Sequence, residues 1–232
     1  MQAYIITIPN HKLSIEAANR CINTSIEYKN EFSIKTYDAV TPETVQQELV
    51  RRKVDWKWPW EGAVTDFNTG LVKQSYPTVD KAKRVACSLS HLNLWYKCYK
   101  SNQPILILEH DAMFIKKLDY DYILDDKYDI IGINCPLGNT RKSSVFHGII
   151  QKSRNRICDV PVIDEVYVPQ GLAGNSAYII KQGAAKRLIK LVNQHGLWPN
   201  DALMCRQLLP HTIGVTKEYY TDTQRIVSTT TK

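Results

Sequence analysis

The sequence predicts one α/β domain, with a mostly parallel, twisted sheet flanked by helices. Three observations predict it. The chain opens on a strand–helix–strand pattern between Ala3 and Tyr37, the start of a doubly wound fold. After Pro104 the apolar run ILIL leads straight into Glu109-His110-Asp111, as a buried strand of a parallel sheet does at its carboxyl end. The length of 232 residues suits a single domain, residues 1–232, with a sizeable core.

The elements follow in order. Ala3 to Ile8 is rich in Ile and Tyr and stops at Pro9-Asn10, which predicts a strand. Ser14 is placed to cap a helix reaching about Tyr28, with Ile15, Ala18, Ile22 and Ile26 on one face. Phe32 to Tyr37 predicts a second strand, and Thr41 to Lys53 a polar helix with Pro42 in its first turn. From Asp55 to Gly70 the chain reads as an irregular loop. It carries Trp56, Trp58 and Trp60, suited either to stacking on a sugar or to closing a small satellite core. Ser88 to Ser101 has helical periodicity, with Leu89, Leu92, Trp95 and Tyr99 on one face and His91 on the polar side. Tyr128 to Ile133 predicts a strand closed by Cys135-Pro136-Leu137-Gly138. Residues 139–161 show little periodicity and predict a surface excursion, a mobile flap or hairpin. Gly171 to Ile180 reads as a glycine-rich turn into a strand. Gln182 to His195 reads as a helix stopped by Gly196, Thr212 to Val215 as a short strand, and residues 219–232 as a polar tail.

Composition narrows the function classes. The chain is 44% hydrophobic and 23% charged, which excludes a disordered protein. A net charge of +7 suits an anionic substrate, a nucleic acid or an acidic membrane face. The six cysteines, at 21, 87, 98, 135, 158 and 205, include no C-x-x-C pair and read as reduced core thiols. The N-terminal MQAYIITIP lacks the charged region of a signal peptide. No stretch reaches the roughly 20 apolar residues of a membrane span. These readings predict a cytoplasmic protein, with peripheral contact to the inner face of a membrane left open.

Chemistry concentrates at Glu109-His110-Asp111. Ligands of open α/β sheets bind outside the carboxyl ends of the strands. Two carboxylates one residue apart at such an end suit a hard divalent cation, which takes oxygen ligands and often shares them with substrate phosphates.

The helix ACSLSHLNLW (Ala86 to Trp95), followed by ILILEHD, resembles the family-25 glycosyltransferases, the lipooligosaccharide and procollagen galactosyltransferases. Their pattern is Gly-Cys-x-x-Ser-His-x-x-x-Trp, then a strand ending in an acidic triplet. Cys87, Ser90, His91, Trp95, Glu109 and Asp111 match it. Ala86, Arg84 and His110 depart from it, in the last case replacing an acid by an imidazole. Gly174 to Ile180 with Gly183-Ala184, Pro199-Asn200-Asp201, and the late Gln224 and Ser228 are similar to further elements of the family.

The resemblance implies a GT-A-like domain and a UDP-sugar donor carrying galactose or glucose. It also implies transfer with inversion to a glycan or glycolipid acceptor of the lipopolysaccharide type. Glu109 and Asp111 are then expected to hold Mn²⁺ or Mg²⁺, and Asp201 to be the catalytic base. Ser90, His91, Asn175 and Ser176 are expected at the donor, and His211 is a further candidate metal ligand. Lys81, Lys83 and Arg84 are placed to meet a diphosphate or to stay solvated. Two alternatives use the same residues: transfer to a modified base in DNA, as in viral genome modification, and a non-catalytic nucleotide-sugar-binding relative.

Overall fold

The alternation along the first strand serves two cores at once. In the computed structural model, which describes residues 1–226, β1 (Gln2–Thr7) turns Tyr4 and Ile6 to one face of the sheet and Ala3 and Ile5 to the other. Helix α1 (Lys12–Glu27) leads to β2 (Ile34–Asp38), parallel to β1. The buried face of α1 is not the expected isoleucine face. Ser14, Ala17, Ala18, Cys21 and Ser25 face inward, whereas Ile15 and Ile26 are 40% and 68% exposed. Small side chains there let the helix lie close against the sheet, and bulky ones would hold it off. The cap differs as well. His11 Nδ1 accepts the Ser14 amide, and the Ser14 hydroxyl accepts the amide of Ile8.

Helix α2 (Val45–Arg52) is followed by β3 (Ala63–Asp66) and β4 (Leu71–Gln74), an antiparallel hairpin. The second half of the expected irregular loop is therefore strand. The Asp66 carboxylate holds the turn by accepting the Asn68 amide, and Gly70 supplies a φ of +71°. Trp58 is buried in the main core against Tyr76 and Trp198, while Trp56 and Trp60 stack on each other at 5.0 Å. Helix α3 (Lys81–Ser101) starts well before Ser88, because the Asp80 carboxylate accepts the amides of Ala82 and Lys83. From Val85 to Trp95 it is buried on nearly every side except at Cys87, so His91 is an interior residue and not on a solvated face.

The remaining elements are β5 (Ile105–Glu109), β6 (Ala112–Phe114), α4 (Tyr120–Leu124), β7 (Ile130–Gly132), α5 (Ser143–Lys152), β8 (Ile157–Asp159), β9 (Ala177–Ile180), α6 (Gln182–His195), α7 (Asn200–Leu203), β10 (Ile213–Thr216) and β11 (Thr221–Thr223). Residues 139–161 are thus no simple flap. Phe146 and Ile150, one turn apart on α5, are buried in the core, and β8 pairs antiparallel with β10 at the sheet edge. A ten-residue helix and a three-residue strand carry too few turns of periodicity to be read from sequence. The polar tail is also partly structured, since β11 pairs with β6 and Thr221 is fully buried. Ser228 lies outside the described residues.

The seven-stranded sheet has the order β2-β1-β5-β9-β7-β10-β8. Strands β2, β1, β5, β7 and β10 run in one direction, and β9 and β8 run against them. Helices α3 and α6 pack on one face, and α1 and α4 on the other. The expected mostly parallel, helix-flanked sheet is what forms. Because β9 is reversed, its register Leu108↔Ala177 brings the residues before β9 alongside the carboxyl end of β5.

The approach to β9 also touches α7. A Cβ on Gly171 would overlap the carbonyl of Met204 and stand 2.7 Å from that of Asp201. Gly171→Ala must therefore displace backbone. Overpacking of this kind costs about 1–3 kcal/mol, and the expected result is a fall in Tm of several degrees, at about 2–4 °C per kcal/mol for a domain of this size. An unchanged Tm in a thermal melt would refute the close contact.

Candidate active site

The carboxyl edge of the sheet gathers the polar residues that the apolar strands deliver there. Glu109 ends β5, and Asp111 sits in the turn to β6. Opposite them, Asn175 and Ser176 precede β9, and the Ser176 carbonyl accepts the Glu109 amide at 2.7 Å. Asp201 lies in the first turn of α7.

Glu109 is held from behind by a chain of buried hydrogen bonds. Trp95 Nε1–H donates to the Tyr178 hydroxyl at 2.9 Å. Tyr178 lies 2.9 Å from His91 Nδ1, and His91 Nε2 lies 3.1 Å from Glu109 Oε1. The donor inventory assigns the roles. Tyr178, already accepting from Trp95, donates to Nδ1, so the imidazole carries its proton on Nε2 and donates it to the carboxylate. His91 and Tyr178 are both fully buried, which makes the chain sensitive to loss of any member.

In front of Glu109 the situation is reversed. Asp111 Oδ1, both side-chain polar atoms of Asn175 and the Ser176 hydroxyl are buried without a hydrogen-bond partner among the described residues. Buried polar atoms are nearly always paired in native proteins. A group of four such atoms at one strand edge marks a surface shaped to be completed by a ligand.

Electrostatics agree with that reading. Burial, and then the charge of Glu109, push the Asp111 carboxyl up to about 7. Two carboxylates sharing a site behave this way when no cation lies between them. Asp201 is also raised, first by burial, with the Arg84 guanidinium opposing the rise. The Cys87 thiol is held well above its ordinary range by burial and by the charges of Glu109 and Asp201. It stays protonated and donates to Asn200 Oδ1 at 3.8 Å. The ligand atoms of Cys87, His91 and Glu109 lie within 4.8 Å of one another. With the thiol protonated and the imidazole proton given to Glu109, this cluster supports the carboxylate, and the cation position Glu109 borders is the one shared with Asp111.

The predicted residues do not all converge. Glu109, Asp111, Asn175 and Ser176 meet at the edge, and the charges of Glu109 and Asp201 act on each other there. His91 stands directly behind. Ser90 is wholly buried and its hydroxyl is engaged on both sides, accepting the Val40 amide at 2.9 Å and donating to the Ala86 carbonyl at 2.8 Å. It ties α3 to the segment after β2. His211 is exposed, 3.8 Å from Asp159, in the turn before β10 and so at the opposite end of the sheet from Glu109. Lys81 and Lys83 are exposed.

Three further contributors had no short-range signal. Burial and then the nearby charge of Asp201 hold the Tyr76 phenol well above its ordinary range, and the Arg84 guanidinium stands 5.2 Å over the Tyr76 ring. Gln224, legible only through the family pattern, clasps the acidic turn. Its side-chain amide donates to the carbonyls of Ala17 and Ala112, and its backbone amide donates to that of Asp111.

The profile of glycosyltransferase family 25, described as an LPS biosynthesis protein, matches residues 8–204. The chain belongs to this family and is a glycosyltransferase. No curated protein sequence matches it. Among solved structures it is similar to the galactosyltransferase LgtC in complex with donor and acceptor sugar analogs, at 9% identity over 93% of this chain and 73% of that one, with a TM-score of 0.47. It is also similar to a glycosyltransferase involved in glycosylation of the major capsid of PBCV-1, at 10% identity over 98% and 95% of the two chains, TM-score 0.41. The bifunctional glycosyltransferase WbbM matches at 9% identity over 92% of this chain and 38% of its own, TM-score 0.45. Likeness at this level does not extend to donor or acceptor.

The raised Asp111 has a consequence for stability. Its carboxyl binds a proton more readily folded than unfolded, so the stability it contributes is present below the unfolded pKa of about 3.9. That contribution is lost as pH rises through about 7. Asp111→Asn is therefore expected to raise the Tm of the metal-free protein at about pH 8 and to leave it nearly unchanged at about pH 4. A Tm lowered equally at both would show that the carboxylate is structurally satisfied.

Proposed function

We propose that the protein transfers a hexose, galactose or glucose, from a UDP-sugar to a hydroxyl of a lipopolysaccharide-type glycan or glycolipid, with inversion at the anomeric carbon. The observation that carries this is the set of unpartnered buried atoms of Asp111, Asn175 and Ser176 beside a second carboxylate, Glu109, at the carboxyl edge of the sheet. Six unpaired thiols support a reducing, cytoplasmic setting. No helix among the described residues is long and apolar enough to cross a membrane.

The donor set fits a hard divalent cation. Glu109 and Asp111 would hold Mn²⁺ or Mg²⁺, which when bound supplies positive charge to the departing diphosphate. Asn175 and Ser176 offer an amide and a hydroxyl for the sugar or the phosphates, and His91 keeps the Glu109 carboxylate oriented. Asp201 takes the proton of the acceptor hydroxyl. That oxygen forms its bond to the anomeric carbon on the face opposite the breaking bond to the diphosphate, and UDP leaves with the electron pair. Burial makes Asp201 a better base than an exposed carboxylate. Tyr76 stands beside it, and the Arg84 charge opposes the rise that burial causes.

Asp201→Asn is expected to lower kcat/KM by about 10²–10⁴-fold, while Mn²⁺-dependent UDP-sugar binding, read by calorimetry, stays within about twofold. In the native enzyme kcat/KM should fall as pH drops through a pKa above the ordinary carboxylate range. Arg84→Gln should move that limb to higher pH, because Arg84 lowers the Asp201 pKa. Full activity in Asp201→Asn would place the base elsewhere.

A further inference from the structure

A polar cavity of about 380 Å³ lies between the end of α6, the segment after α2 and the β3–β4 hairpin. That volume falls in the range of roughly 300–1,000 Å³ usual for small-molecule sites. None of the residues lining it takes part in the chemistry described above.

Its charges do not cancel. Lys73 and Asp66 form a buried pair at 2.8 Å. Lys73 also donates to the Lys57 carbonyl and stands 4.7 Å over the Trp198 ring. The Asp66 carboxylate further accepts the Asn68 amide. This pair is self-satisfied and forms a wall. What remains facing solvent are the ammonium groups of Lys53 and Lys57 against the single carboxylate of Asp55. The Lys57 stem packs over Gly196. That glycine has a φ of +77°, and a Cβ there would run into Lys57 Cγ. The chain therefore lays the Lys57 stem across the glycine at the cavity's rim. His195, also lining the cavity, has an Nδ1 that is buried without a partner among the described residues, a state that native structures rarely leave uncompleted.

Two exposed ammonium groups, an unpaired ring nitrogen and side-chain amides suit a sugar that carries an acid. From this arrangement we infer that the cavity is a subsite for a carboxylate- or phosphate-bearing sugar of the acceptor, held by charge-assisted hydrogen bonds from Lys53 and Lys57 and by His195. The acceptor role rests on the glycan-transfer reading above. Position supports it. The wall at Gly196 continues through Leu197-Trp198-Pro199 to Asp201, five residues that extend at most about 17 Å. One oligosaccharide could present a hydroxyl at Asp201 and an acidic residue here.

The test follows the imidazole resonances of the native protein by NMR, with the His195 signals assigned by His195→Gln. The probes are glucuronate, glucose 6-phosphate, glucose and inorganic phosphate, and UDP-sugar binding with Mn²⁺ is measured in parallel. Both acidic sugars are expected to shift the His195 signals. In the double variant Lys53→Ser/Lys57→Ser their binding should weaken roughly tenfold or more, with UDP-sugar binding unchanged. Both lysines are exposed, so the variant should fold.

Equal shifts with glucose would overturn the acidic specificity. Inorganic phosphate binding as tightly as glucose 6-phosphate would mean an adventitious ion only. No shift with any probe, while UDP-sugar still binds, would sink the subsite and leave the donor site standing. Shifts with acidic sugars but no UDP-sugar binding would support the subsite and remove the UDP-sugar donor reading.

Discussion

The acidic edge depends on one chain of hydrogen bonds, Trp95 to Tyr178 to His91 to Glu109. It starts on α3, crosses to the reversed strand β9, returns to α3 and ends on β5. Each polar atom in it has one productive arrangement, so the imidazole tautomer and the direction of the Glu109 carboxylate are set together. In a buried setting such bonds are stronger than in water, and an unpaired member is correspondingly unfavourable. The chain ties the packing of α3 against the sheet to the position of one carboxylate oxygen. The reversal of β9 is what brings Tyr178 and Ser176 to these places.

Behind Glu109 polar groups are satisfied, and in front of it they are not. Asp111, Asn175 and Ser176 leave buried atoms unpaired, and Asp111 and Asp201 are both shifted toward their protonated forms by burial. Local inconsistencies of this kind are usual at functional sites in natural sequences, and here they fall on the proposed donor site and base. Gln224 limits the damage by clasping the carbonyls of the turn that carries Asp111.

How much of this is legible in the sequence depends on how local its cause is. The strand ending at Glu109 is a continuous apolar run closed by acids, and the helix ending at His195 is closed by Gly196, so both are read correctly from their own residues. The buried face of α1 is not, because small residues won by fitting the sheet, a property of the partner surface. Residues 139–161 hide a helix whose burial rests on Phe146 and Ile150 alone among its apolar residues. His91 reads as a solvated residue because an amphipathic pattern counts apolar neighbours. Its actual partner, Tyr178, lies 87 positions away. Tyr76 and Arg84 act on Asp201 across more than a hundred residues, and no spacing rule reaches that far. The family pattern recovered Gln224 and the order of the motifs, since it stores long-range constraints that one chain's periodicity does not.

The acidic strand end is proposed as the seat of the donor's diphosphate and its cation. Anomalous diffraction from crystals grown with UDP and Mn²⁺ tests it most directly. The expected result is a manganese peak within bonding distance of carboxylate oxygens of Glu109 and Asp111, with the diphosphate on its open side. A peak elsewhere, or UDP bound at another edge of the sheet with no metal at these two residues, would contradict it.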